Sequence, residues 1–301
     1  MRYWMLVVLM AVAAEAAPPK FELVDGDRVV FIGNTFIERD IQYNYLEAHL
    51  TAMYPDRNIT FRNMGWSGDT VFVPARAGSG PNKGIDLLVD YVKDLKPTVL
   101  FVAYGMNESF EGEAGLSRFV DGYNKLLDAL AVTKARVVLV SPIAHEKLPA
   151  PLPDPAEHNK QLKLYTEAIR QIAEKREAWF VNLFGPFLNW KGSRLTDNGI
   201  HLNSKGYEMA SRHTLLQLQP KGMVIWDVDD KGRFVNSEVE RLRQVIRQKN
   251  VFFFDRYRPQ NDMYIFHGRK HEQGRNAVEI PQFDKFIQAK EAEIAELKRA
   301  K

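Results

Sequence analysis

Several side chains in this 301-residue chain stand where a reactive group is useful. Thr35 closes the run Arg28-Val29-Val30-Phe31-Ile32-Gly33-Asn34-Thr35, a continuous apolar segment ending in Gly-Asn-Thr. Such a run reads as a central parallel strand, and the crevice beyond its carboxyl end is where open α/β sheets place ligands. The same residues also read as plain architecture, with Gly33 turning the chain and Thr35 capping the next helix. His145, with Glu146 beside it, follows the strand-like run Arg136 to Val140, so it either contacts substrate at the same edge or lies in solvent beside the prolines. His267 and His271 are four apart, a metal-binding spacing on a helix, but Gly268 between them weakens the helix. That segment reads as a solvated connector, or as a loop bringing Arg269, His267 or His271 to an anionic or sugar substrate. The chain contains no cysteine, which excludes disulfides, a thiol nucleophile and thiolate metal sites. No metal and no cofactor are called for.

These residues need a scaffold, and the pattern supplies alternating strands and helices. Strand-like runs recur at Ile59 to Asn63, Thr98 to Tyr104, Arg136 to Val140 and Trp179 to Leu183. Helical spacing covers Ile41 to Met53, Ile85 to Leu95, Leu116 to Leu130 and Ala156 to Glu177. Strands separated by such helices require a parallel sheet with right-handed crossovers. Phe21 to Asp27 is an edge strand or turn, Gly68 to Gly84 a loop at the mouth of the site, and Pro142 to Pro155 a Pro-rich loop. His49 reads as a surface or half-buried helix residue, while His158 and His213 lie in helical patterns with no evident partner.

Four blocks follow one another in order: Gly33-Asn34-Thr35, Ser67-Gly68-Asp69-Thr70, Gly105-Met106-Asn107-Glu108 and Asp197-Asn198-Gly199-Ile200-His201. Together, over roughly residues 24 to 215, they resemble the SGNH (GDSL-like) hydrolases, a family of mostly esterases, lipases and carbohydrate deacetylases. The resemblance implies a flavodoxin-like, three-layer α/β/α sandwich with a parallel five-stranded sheet. It also implies that Thr35 stands at the nucleophile position, where the family has Ser, and Asn34 at the preceding Asp. Gly68 and Asn107 match the oxyanion-hole residues, shared with the Thr35 N–H, and His201 matches the base. Glu108 replaces the Asp that usually follows the block-three Asn. Asn198 stands three residues before the base where the family has Asp, and Asp197 is one place too early. Asn34, Glu108, His145 and Arg269 are the candidate substrate contacts.

By that resemblance the chemistry is acyl transfer to water, with Thr35 attacking an ester carbonyl as His201 takes its proton. The threonine methyl restricts χ1 and crowds the attack. A neutral Asn198 neither holds the histidine tautomer as a carboxylate does nor stabilises the imidazolium, an exchange costing roughly 10⁴ in turnover in a serine protease. Either Asp197 takes over the orienting role or the triad is impaired. Gly65-Trp66-Ser67-Gly68-Asp69 superficially matches a nucleophile elbow, but Asp69 occupies the place where the tight turn requires glycine. Ser67 remains a stand-in nucleophile. Two functions stay open: an O-acyl ester hydrolase, with acetylated carbohydrate as a candidate substrate, and a weak or inactive relative that binds a glycan or protein partner.

Around this core the chain carries two further segments. Met1 to Ala16 has Arg2, an apolar stretch from Met5 to Ala14 and an Ala14-Glu15-Ala16 cleavage pattern, the features of a signal peptide for export to the periplasm or medium. No later run is long enough to cross a bilayer. Residues 219 to 301 form a mainly helical extension with more Lys and Arg than Asp and Glu, an Asn236-capped helix through Gln248 and a charged helix from Pro281 to Arg299. Their apolar pattern is too thin for a separate core, so they are expected to pack on residues 20 to 218. The net charge of +3 gives no indication of nucleic acid, and the partner implied is a small-molecule or carbohydrate ester.

Overall fold

Short runs rich in Val, Ile, Leu and Phe form five parallel strands in the computed structural model, which describes residues 20–76, 84–258, 262–265, 268–272 and 276–299. The strands are β1 (Arg28–Gly33), β2 (Thr60–Gly65), β3 (Val99–Ala103), β4 (Arg136–Val140) and β5 (Trp179–Val181), in the spatial order β2-β1-β3-β4-β5. This is the flavodoxin-like order, whose switch point lies between β1 and β3. Register aligns Gly33 with both Gly65 and Ala103, so the segments after β1, β2 and β3 leave the sheet at one edge. The signal-peptide reading of Met1 to Ala16 lies outside the described residues.

Side chains alternate across the sheet and build a core on each face. Phe31, Phe61, Phe101 and Val140 point one way, toward α1 (Thr35–Arg39), α2 (Tyr45–Met53), α6 (Phe184–Leu188), α7 (Ser204–Leu218) and α8 (Ser237–Tyr257). Val30, Ile32, Val102 and Leu139 point the other way, toward α3 (Gly84–Leu95), α4 (Leu116–Leu130) and α5 (Ala156–Lys175). A helix is present from Thr35, earlier than the sequence pattern suggests. It breaks before α2 at Asn44, which adopts a left-handed conformation with φ 55°. Residues 20 to 24 form no strand and a turn follows at 25 and 26, although Phe21 and Leu23 are buried.

The C-terminal helices α8, α9 (Asp262–Ile265) and α10 (Phe283–Leu297) follow, and α8 continues nine residues beyond the expected Gln248. Val239, Leu242, Val245 and Ile246 of α8 enter the first core, while Phe253 and Tyr257 enter the second. A buried polar cluster joins α8 to the sheet: Lys249 Nζ donates to Glu47 Oε1 (2.5 Å) and to the Phe61 carbonyl of β2 (3.0 Å). Asn250 Nδ2 donates to Glu47 Oε2 (2.7 Å) and to Asn44 Oδ1 (2.5 Å). Arg62 on β2 pairs with Glu291 of α10 at 2.5 Å. Edge strand β2 is thereby covered rather than left open to another chain. No helix among the described residues is long and apolar enough to cross a membrane.

Candidate active site

The strand ends converge on a pocket lined by Asn34, Thr35 and Arg39 after β1, Tyr104 and Met106 after β3, Pro142 and Ile143 after β4, and His201 and Tyr207. Asn34, buried, caps α1 by accepting from the Phe36 N–H at 3.1 Å, and this fixes Thr35 at the first helical position. The later residues of α1 lie against β2 at Gly65, where a Cβ would come within 2.2 Å of the Glu38 nitrogen. Beyond that contact the chain turns through Gly68, at φ +77°, and the Gly68 N–H donates to Thr35 Oγ1 at 3.2 Å. Two of the sequence-matched blocks, at Thr35 and Gly68, therefore meet. Tyr207 closes the wall, donating to the Phe36 carbonyl at 2.7 Å and stacking on Phe36 and Tyr43.

His201 faces the same pocket from a loop clamped by Glu146. The Glu146 carboxylate accepts from the Leu195 and Thr196 N–H groups and from the Thr196 hydroxyl, and its own N–H donates to the Gly199 carbonyl at 2.8 Å. Asn198 lies on the imidazole, with Nδ2 3.2 Å from His201 Nδ1. Asn198 Oδ1 already accepts from the His201 N–H (2.9 Å) and the Ile200 N–H (3.2 Å), so the amide NH2 must face Nδ1. A donor there requires a lone pair on Nδ1 and places the ring proton on Nε2. Asp197 does not orient the ring: its carboxylate pairs with Arg39 at 2.7 Å. Burial first, then the Arg39 charge, hold the His201 pKa below the ordinary imidazole value against an opposing pull from Asp197.

The other sequence candidates separate clearly. Asn107 follows β3 as expected, and one of its amide hydrogens goes to the Asp69 carbonyl at 2.8 Å. Glu108 is buried and is not placed to meet substrate; its carboxylate accepts from the Val71 and Gly105 N–H groups, and burial raises its pKa to about 7. His145 is neither loose nor solvent-exposed. Burial lowers its pKa to about 4, with repulsion from His158 and His201, and its Nε2 has no partner among the described residues. Its ring stacks on His158, which stacks on the exposed Phe110 and lies 3.0 Å from Ser109 Oγ, so His158 has three partners the sequence concealed. Arg269 is taken up by Glu272 and lies over the Tyr264 ring, and it does not line the pocket. His267 lies outside the described residues. His49 is buried, bonded to the Tyr45 carbonyl.

Sequence reasoning missed three charged groups around Thr35. Arg39 and Glu38 lie one helical turn along α1, with Arg39 held to Asp197 and Glu38 accepting from the Ser67 N–H (2.8 Å) and the Ser67 hydroxyl (2.6 Å). Arg258, at the end of α8, pairs with Glu38. The Ser67 hydroxyl is thus committed to a carboxylate that is itself ion-paired, and no imidazole is bonded to it among the described residues, which disfavours Ser67 as nucleophile. The spacing of Glu38 and Arg39 after Thr35 was the available signal, since residues three and four apart share a helix face.

A family model described as GDSL-like lipase/acylhydrolase matches residues 35–209, more than half of the chain. No curated protein matches it. Among solved structures, a gut microbial diltiazem-metabolizing enzyme is similar with TM-score 0.53 and 18% identity, over 68% of this chain and 49% of that one. This chain therefore spans about half the length of that enzyme. A catalytic mutant of an acetylxylan esterase from Geobacillus stearothermophilus is similar with TM-score 0.52 and 18% identity, over 68% of this chain and 99% of the esterase. At these identities the likeness is one of fold.

Proposed function

The chain belongs to the GDSL-like lipase/acylhydrolase family, and on that premise we propose that it is an exported hydrolase of O-acyl esters, acetylated carbohydrate being the candidate substrate, with Thr35 as nucleophile and His201 as base. The single observation carrying this reading is that Thr35 and His201 line one pocket while the Gly68 N–H bonds Thr35 Oγ1. Once the ring has shifted its proton from Nε2 to Nδ1, Thr35 Oγ1 bonds to the acyl carbon as its own proton passes to the vacated His201 Nε2. The Thr35 and Gly68 N–H groups and the Asn107 amide bear the charge that develops on the carbonyl oxygen. His201 returns the proton to the departing alcohol, and water repeats the sequence to release the acid. Assays of nitrophenyl esters and acetylated glycans test this. Turnover that disappears in both Thr35→Ala and His201→Ala supports it; turnover that survives Thr35→Ala overturns it. Export predicts a mature chain starting near Ala17, so recovery of intact Met1 from the source cell would defeat that part.

One observation favours a second reading. With the Asn198 NH2 facing Nδ1, the resting imidazole carries its proton on Nε2 and cannot accept another until it changes tautomer. A protein arrested there would bind an acylated ligand without turning it over. Thermal shifts with a glycan panel, in the absence of hydrolysis by wild type or by the Thr35→Ser, Asn198→Asp double variant, would favour that reading.

A further inference from the structure

We propose that Arg258, in the C-terminal extension and outside the family-matched residues, is a positioning residue of the active site: through Glu38 it fixes the loop that presents the Gly68 N–H to Thr35. The inference rests on the hydrolase reading for its consequence in turnover, but not for its geometry. Glu38 accepts from both the backbone and the hydroxyl of Ser67, so its carboxylate sets the orientation of the residue immediately before Gly68. Arg258 donates to the carboxylate oxygen that also accepts from the Ser67 N–H, while its guanidinium lies over the Trp66 ring, 4.1 Å from the ring centre. The loop is thus gripped at Trp66 by a cation–π contact and at Ser67 through Glu38. The grip matters because Gly68, at φ +77° with no described residue within 4 Å of where a Cβ would be, has no side chain of its own to anchor the turn. The Glu38 and Arg258 side chains are 19% and 24% exposed, so their attraction is less screened than that of a surface pair.

The same helix turn serves both halves of the site. Thr35, Glu38 and Arg39 share α1; Glu38 reaches the oxyanion loop and Arg39 reaches Asp197 on the histidine loop. Arg258 neutralises Glu38 much as Asp197 neutralises Arg39. Its loss leaves a half-buried carboxylate unpaired, which draws in water and loosens Ser67.

Amide hydrogen exchange at Ser67 and Gly68, measured alongside steady-state kinetics, tests the inference in Arg258→Gln, Glu38→Gln and Arg258→Lys. Faster exchange at these two amides in both Gln variants is expected, with kcat lowered roughly 10- to 100-fold and KM within about twofold, as for a small misplacement of a catalytic donor. Arg258→Lys should recover part of both effects. Arg256→Gln is the control, because Arg256 pairs with Asp284 within the extension and should change neither quantity. Unchanged Ser67 and Gly68 exchange in Arg258→Gln overturns the inference whatever the activity. Equal effects from Arg256→Gln also overturn it, since the role would then be docking of the extension. Absence of hydrolysis by wild type overturns the hydrolase reading instead, and exchange still decides the loop.

Discussion

At the level of single residues, one amide, that of Asn198, sets the tautomer of His201. A carboxylate at position 198 would keep one oxygen on the His201 and Ile200 N–H groups and turn the other to Nδ1, forcing the proton there and freeing Nε2 as base. Asn198→Asp should therefore raise kcat, by up to about 10⁴, and Thr35→Ser should retain or raise it by removing the methyl that restricts χ1. Steady-state kinetics on a nitrophenyl ester checks both, and an Asn198→Asp variant no faster than wild type would refute the tautomer argument. Because the His201 pKa is lowered, the imidazole is neutral at neutral pH, and the acid limb of kcat/KM should fall below the ordinary imidazole value of 6.5. Arg39→Gln removes the charge that lowers it and releases Asp197, which raises it, so the limb should move to higher pH. A limb that stays put or moves down contradicts this. The four blocks carrying Thr35, Gly68, Asn107 and His201 were legible in the sequence. The Arg39–Asp197 pair was not, since its members are 158 residues apart and no local pattern links them.

Among the elements, α4 and β4 fall where periodicity puts them, because their apolar faces are set by nearby residues alone. The break at Asn44 and the full length of α8 were hidden for one shared reason: Asn250 holds Asn44, and Lys249 holds Glu47, across more than 200 residues of chain. Burial raises the Glu47 pKa against the Lys249 charge. Removing only the lysine strands a carboxylate in the interior, so Lys249→Ala should cost about 3–5 kcal/mol. Replacing both partners, as in Glu47→Leu with Lys249→Met, should cost much less, since two apolar chains need no partner. Urea unfolding of the three proteins decides it; a double variant as unstable as the single one would show that the ion pair itself holds α8.

For the whole molecule, the extension was read from thin apolar patterning, and its attachment is polar as well as apolar, through Lys249, Asn250 and Arg62. Ending the chain at Leu218 should uncover the β2 edge and leave Glu47 and Glu38 without their cations, lowering the melting temperature and kcat together. Cooperative folding of residues 219–301 alone, with the remainder unaffected, would contradict that. The central claim, that this fold carries an acyl group on Thr35, is tested most directly by trapping it. Wild type and Asn198→Asp are mixed with nitrophenyl acetate, quenched in acid within the first turnovers and mapped by peptide mass spectrometry. The account predicts acetyl on the peptide bearing Thr35, accumulating faster in Asn198→Asp and missing from Thr35→Ala. Acetyl on Ser67 instead, or hydrolysis with no acetyl on Thr35 in either protein, would contradict it.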